Sequence, residues 1–267
     1  MIEKWSEGIA DDNMDEDILV DLAPTIRRHP WWLARAALTM QLLDRLGLRP
    51  PARILDAGCG WGVTLDCLEE RGYQAIGMDI SRRALERLDR SGRSLIEADL
   101  TKPLDRHTPL YDAVLALDVI EHLDDDRAAV RQLGKLARTG GCVIVSVPAL
   151  PALFGEFDAI QGHRRRYLPE TLQAAFADSG LDLERIFWWG RWLVPALLRQ
   201  RARRLSHDGE SASQVYRRYL DLPPWPLPWV ARFAFALEQH AAIAGRLRTG
   251  TSLFAVARRP ASGRPNP

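Results

Sequence analysis

From residue 53 onward, apolar runs of strand length alternate with segments whose apolar residues recur at helical spacing. RILDA (53–57), QAIGMDI (74–80), SLIEADL (94–100), YDAVLALDVI (111–120) and CVIVSVPA (142–149) read as five strands. Between them, VTLDCLEERG, SRRALERLDRSG and DDDRAAVRQLGKLARTGG read as helices. Ser81 is placed to cap the second and Gly92 to stop it. The third carries acids at its start and bases near its end, which suits the helix dipole. LDLERIFWW and, after a long gap, TSLFAVARR supply a sixth and a seventh strand. This alternation predicts an α/β fold, a doubly wound and mostly parallel seven-stranded sheet covered by helices on both faces. Such sheets bind ligands outside the carboxyl ends of their strands.

Outside the alternation the chain divides into simpler pieces. Residues 1–49 read as an acidic, frayed lead followed by a cap helix, HPWWLARAALTMQLLDRLGL, which R-P-P ends. Residues 50–189 form the core, with a long loop, ALPALFGEFDAIQGHRRRYL, after the fifth strand and a return to helix at PETLQAAFADSGL. Residues 190–250 read as a helical insertion and substrate cap: a basic amphipathic segment, a polar link (SHDGESASQ), the proline-rich PPWPLP, and helical WVARFAFALEQHAAIAGRL. Residues 251–259 are the final strand, and 260–267 a tail of disordered composition.

Composition excludes several classes. A net charge of +1 gives no global field for nucleic acid, and none is expected as a partner. Cys59, Cys67 and Cys142 have no C-x-x-C spacing, so neither a disulfide framework nor a metal site is expected, and a reducing cytoplasm is the expected location. The start is acidic where a signal peptide would be basic, and no apolar run approaches the roughly 18 residues that span a bilayer.

The chemistry gathers at ILDAGCGWG, residues 54–62, where a buried strand breaks into a glycine turn and then a helix. A dinucleotide fingerprint would be G-x-G-x-x-G/A, but Val63 stands at its sixth position, and Asp56 would repel a pyrophosphate. Asp56 through Gly62 instead resembles the D/E-x-G-x-G-x-G signature of class I S-adenosylmethionine-dependent methyltransferases. Further matches follow in order: Asp79 in GMDIS, Asp99 in IEADL, and Asp118 to His122 in LDVIEHL.

The resemblance covers about residues 50–185 and implies a Rossmann-like methyltransferase fold whose last strand runs antiparallel. It implies S-adenosylmethionine as cofactor, held by Asp56, Gly58, Cys59, Gly60 and Gly62 at the turn. Asp79 and Ile80 would lie at the ribose, Asp99 and Leu100 at the adenine, and Asp118, Val119 and His122 beside the methionine. The cofactor is a cation without phosphate, so acids near the glycine turn are acceptable. LDVIEHL stands where relatives that methylate nucleic acid or protein amino groups carry N/D-P-P-Y/F, and it resembles the small-molecule branch.

A small-molecule acceptor, methylated at oxygen, is therefore expected; an amine, a carbon or a lipid-linked acceptor is the alternative, and a non-enzymatic cofactor-binding role ranks below both. A hydroxyl acceptor needs a base within hydrogen-bond reach. The loop pattern D-x-x-x-G-H-x-R-R-Y, which resembles a bacterial subgroup of the family, offers His163 as that base with Asp158 or Tyr167 to orient it. His122 beside Glu121 is a rival. Arg165 and Arg166 could grip an anionic group on the substrate, or the loop's basic residues could pair with Glu156, Asp158 or Glu170 and merely fix a lid. Trp31, Trp32 and Arg35 are candidates for closing over the acceptor from the other side. The basic segment, with Arg191, Arg199, Arg201, Arg203 and Arg204, is a solvated face or a peripheral membrane contact. No sequence feature speaks to oligomeric state.

Overall fold

The computed structural model describes residues 2–6, 14–89, 92–104, 111–201, 206–221 and 227–261. Arg203, Arg204, part of the proline-rich stretch and the tail beyond residue 261 lie outside the described residues. The core strands are β2 (Arg53–Ala57), β3 (Gln74–Asp79), β4 (Ser94–Glu97), β5 (Tyr111–Leu117), β6 (Ala137–Pro148), β7 (Asp182–Trp189) and β8 (Ser252–Arg258). An eighth, β1 (Ile2–Lys4), pairs parallel with β4 and extends the sheet by one edge strand. The spatial order is β1-β4-β3-β2-β5-β6-β8-β7, with β8 antiparallel to both its neighbours and every other pair parallel.

Alternate side chains of the central strands supply two cores. Leu55, Val114, Ala116, Val143 and Val145 face one layer, with α6 (Asp126–Leu136) and α8 (Pro169–Ala175) over it. Ile54, Ala113, Leu115 and Ile144 face the other, covered by Leu38, Leu42 and Leu43 of α3 (Pro30–Arg45), Leu68 of α4 (Val63–Glu70), and Phe235 and Ile243 of α11 (Leu227–Ile243). Burial on both faces explains why these strands read as continuous apolar runs instead of alternating ones. Beside β3, α5 (Arg82–Leu88) starts at Ser81, whose hydroxyl accepts from the Ala84 N–H as its cap position predicts.

The chain order reverses between β2, whose neighbours are β3 and β5, and this reversal opens the ligand crevice at the carboxyl ends. Two short helices, α1 (Glu16–Asp21) and α2 (Ala23–Ile26), lead into α3 and lie at that end with α10 (Ala212–Leu220).

The structure departs from the sequence reading in four places. The lead contributes β1, whose three residues are too few to show a period. The helix expected through residues 124–141 ends at Leu136, because Ala137 already pairs with Tyr111 through a bulge in the β5–β6 ladder. The long loop after β6 contains a helical turn at Pro151–Leu153 and α7 (Glu156–Ile160). The polar link runs into α10, which opens on a capping box of Ser211 and Gln214. The basic segment itself forms a turn at Arg191–Leu193 and α9 (Val194–Arg201).

Candidate functional site

At the end of β2 the backbone turns through Gly58, Gly60 and Gly62, all at positive φ. The Gly58 and Cys59 N–H groups both donate to the Met78 carbonyl, at 2.7 and 2.9 Å, which ties the turn to β3. The Gly60 N–H donates to Asp79 Oδ2 at 2.7 Å, and the Ser81 N–H to its Oδ1 at 2.9 Å. A Cβ on Gly58 would fall 2.3 Å from Val119 Cγ2, so only glycine lets the turn approach the end of β5. Among the described residues a Cβ at Gly60 would come within 4 Å only of Leu19 Cδ2, at 3.8 Å, so the backbone here is bare.

Acids crowd this end of the sheet. Asp56, Asp79, Asp99 and Glu121 are buried. Burial, opposed by the Arg35 charge and reinforced by Asp79, pushes the Asp56 carboxyl up to about 7. Burial also raises Asp79, against the lowering effect of the N–H groups it accepts from. Glu121 lies well above the usual carboxylate range, through burial first and the Asp118 charge second. Arg35 reaches in from α3, donating to the Leu117 carbonyl at 3.3 Å and forming an ion pair with Asp118, with the Trp31 ring 5.0 Å from its guanidinium. Asp118 takes a left-handed backbone (φ 59°), held by Arg35 and by the Ser146 hydroxyl at 3.1 Å.

The segment after β6 adds a second polar group. Asp158, buried in α7, accepts from the Gly155 N–H at 3.0 Å and from Arg166 Nε at 2.8 Å, and lies 2.9 Å from His163 Nδ1. Burial pushes the Asp158 carboxyl up, but the His163 hydrogen bond and the Arg166 guanidinium outweigh it and hold it below the usual range. His163 Nε2 lies 3.8 Å from Glu121 Oε1, and its ring stands edge-on to His122, with centroids 4.8 Å apart.

One cavity of about 770 Å³ joins these groups, within the roughly 300–1,000 Å³ usual for ligand pockets. Of the residues singled out in the sequence, Gly58, Cys59, Gly60, Asp79, Ile80, Asp118, Val119, His122 and His163 form its wall, with Trp31, Trp32, Arg35 and Arg166. The others stand behind it. Asp56 and Gly62 support the turn, Gly62 as the left-handed residue before α4. Asp99 accepts from the Thr101 N–H and hydroxyl at 2.8 and 2.6 Å, with Leu100 buried next to it. The Tyr167 hydroxyl donates to Asp126 at 2.8 Å instead of meeting His163, and burial drives its pKa upward. Arg165 also pairs with Asp126.

Sequence reasoning passed over His29, Phe157, Gln161, Arg218 and Tyr219, which also line the cavity. The capping box at Ser211 would have located α10 and so the last two. His29 accepts from the Trp31 N–H at 3.2 Å, and burial lowers its pKa to about 4, keeping the ring neutral.

Bare glycine backbone beside a buried carboxylate, within an acid-rich wall, suits a cationic nucleoside that carries hydroxyls. Residues 31–186 match the family model described as a methyltransferase domain, and the chain belongs to that family, the class I S-adenosylmethionine-dependent methyltransferases. Two ubiquinone biosynthesis O-methyltransferases are similar. That of Alkalilimnicola ehrlichii is 33% identical over 103 residues, covering 35% of this chain and 40% of its own; that of Nitrosomonas europaea is 26% identical over 157 residues, covering 53% and 65%. The chain thus spans about half the length of the curated relatives it matches. Among solved structures, the phosphoethanolamine N-methyltransferase 2 of Haemonchus contortus, in complex with S-adenosyl-L-methionine, superposes with a TM-score of 0.50 at 18% identity, covering 83% of this chain and 52% of that one. That likeness is one of fold.

Asp56 gives a test of this electrostatic arrangement. Folded, it keeps its proton up to about 7; unfolded, only to the ordinary 3.8. Between those values the folded chain binds more protons, so this group makes stability fall as pH rises. Asp56→Asn removes that loss. Its melting temperature relative to the parent should rise from pH 5 to pH 8; a constant difference would contradict the placement.

Proposed function

We propose that this chain transfers a methyl group from S-adenosylmethionine to a hydroxyl oxygen of a small, largely apolar molecule. The observation that carries the reading is His163, fixed by Asp158 through Nδ1 on the wall of a cavity that also holds the glycine turn. The named activity of the relatives, O-methylation, supports it.

The cofactor supplies a methyl already activated on a sulfonium, so the protein's task is to align the reactants and exclude water. Gly58 to Gly60, Asp79 and Ile80 hold the nucleoside end, with Asp99 and Leu100 one strand further out. Asp118, Val119 and His122 stand at the methionine end. Trp31, Trp32, Phe157, Trp192 and Leu197 shape the acceptor's side of the cavity. His163, with Nδ1 on Asp158, offers Nε2 to the acceptor's proton. Arg166 steadies Asp158, which makes it a positioning residue. Cys59, Cys67 and Cys142 are free thiols.

A second reading, a lipid-linked acceptor met at a membrane surface, rests on a specific feature. Trp229, Val230, Phe233 and Leu237 of α11 are 56–66% exposed at spacings that put them on one helical face. Val230 and Ala231, with Leu197 and Arg199 of α9, also line the cavity. Among the described residues no helix is long and apolar enough to cross a membrane, so the contact would be peripheral.

Turnover with a panel of phenols and other hydroxyl compounds tests the first reading. His163→Ala should slow it by about 10² or more with cofactor affinity intact; lost cofactor affinity would make His163 a wall residue only.

Asp79→Ala should weaken cofactor binding by about 1.5–3 kcal/mol, the range for hydrogen bonds to a charged group. Calorimetric titration measures it, and unchanged affinity sinks the assignment.

For the second reading, flotation with anionic liposomes should show salt-sensitive binding that Phe233→Ser with Leu237→Ser abolishes and Arg199→Ser with Arg201→Ser weakens. Equal recovery of all forms would remove it.

A further inference from the structure

We infer that Glu121, His122 and His163 form a binding site for a divalent transition-metal cation that receives the acceptor's hydroxyl. The inference rests on the hydroxyl-acceptor reading above and changes what His163 does within it.

Three observations converge. One carboxylate oxygen of Glu121 and one ring nitrogen each of His122 and His163 lie within 4.8 Å of one another. A cation about 2.1 Å from each would draw them to about 3.0–3.4 Å apart. Second, Glu121 is fully buried, and among the described residues neither of its oxygens has a partner at hydrogen-bond geometry. A buried carboxylate left so is costly unless a charge completes it.

The third observation is the orientation of His163. Asp158 Oδ1, 2.9 Å from Nδ1, assigns the ring proton to that nitrogen. The Nε2 lone pair then faces Glu121 Oε1 at 3.8 Å, too far for a hydrogen bond. Two electron-rich atoms that face each other across such a gap suit a shared cation. A carboxylate behind the far nitrogen is also the usual outer support of a metal-ligating histidine, and Arg166 and Gly155 hold that carboxylate in turn.

Two imidazoles and one carboxylate favour Zn²⁺, Mn²⁺, Fe²⁺ or Co²⁺ over Ca²⁺, which prefers oxygen ligands throughout, and they leave positions open. His122 and His163 both lie on the cavity wall, so those positions face the acceptor. The acceptor's hydroxyl binds there and loses its proton to water, as metal-bound oxygen does near neutral pH. The oxygen's electron pair forms the new O–CH₃ bond while the S–CH₃ pair stays on sulfur. One proton is released per turnover and the cation is unchanged. In this form His163 is a ligand through Nε2 and not the base. Cysteine spacing gave no hint of the site because its ligands are a Glu-His pair and a histidine 41 positions further on.

The test is Co²⁺ titration of chelator-treated full-length protein saturated with S-adenosylhomocysteine, read by equilibrium dialysis and d–d absorption. One Co²⁺ per chain is expected. His163→Ala and Glu121→Gln should each weaken it at least about tenfold, and Asp158→Asn by about 10–100-fold. Retained S-adenosylhomocysteine affinity shows that a variant is folded. If Glu121→Gln fails that check, the other two decide. No Co²⁺ binding by the parent protein, or binding that the variants leave unchanged, overturns the site. A cation bound here with no hydroxyl compound methylated would overturn the acceptor reading alone. Full turnover after chelation would overturn the cation's role alone.

Discussion

Burial of several carboxylates at the carboxyl ends of one parallel sheet is the constraint on which the rest of this structure depends. Asp56, Asp79, Asp118 and Glu121 come from β2, β3 and the turn after β5, and a low-dielectric surrounding makes their mutual repulsion expensive. Arg35 is the cation reaching in from α3 to offset part of it, through Asp118 and the charge it exerts on Asp56. Burial disfavours the ionised forms of Asp56, Asp79 and Glu121, and a cationic ligand would favour them. The same imbalance makes a metal cation at Glu121 physically reasonable.

The sheet makes such crowding possible. Two apolar layers bury β2, β3 and β5 on both faces and leave only the strand ends for polar work. The glycine turn can follow β2 closely because Gly58 yields to Val119 from β5's end, and it stays in place because Met78 and Asp79 accept its N–H groups. In the proposed reading, cofactor recognition and sheet packing share the same few residues.

The side of the cavity proposed for the acceptor is assembled differently. Its polar part comes from the segment after β6, where Asp158 organises Gly155, His163 and Arg166 around one buried carboxylate. Its apolar part comes from α9, α10 and α11, late in the chain, together with Trp31 and Trp32 from before the first core strand. Glu238 of α11 fixes part of this arrangement by accepting from the N–H groups of Gly190 and Arg191 at the end of β7. A structural neighbour named for a nitrogen acceptor shares the fold, so the fold by itself does not set the acceptor atom.

The alternation of apolar runs and helical spacing, the glycine turn and the ordered strand-end acids were legible in the sequence because each is a local pattern with a local cause. Seven of the eight strands and the place of the glycine turn at a strand end follow from them. Tyr167 and Arg165 illustrate what was not legible: both belong to the loop pattern, yet both turn to Asp126 on α6, and His163 alone of the proposed catalytic residues forms the cavity wall. Linear spacing does not say which side of a loop a side chain takes. The opposition of Glu121, His122 and His163, and the closing of the cavity by α9 to α11, were decided only by tertiary packing, because their partners lie tens of residues apart and meet only once the sheet is covered.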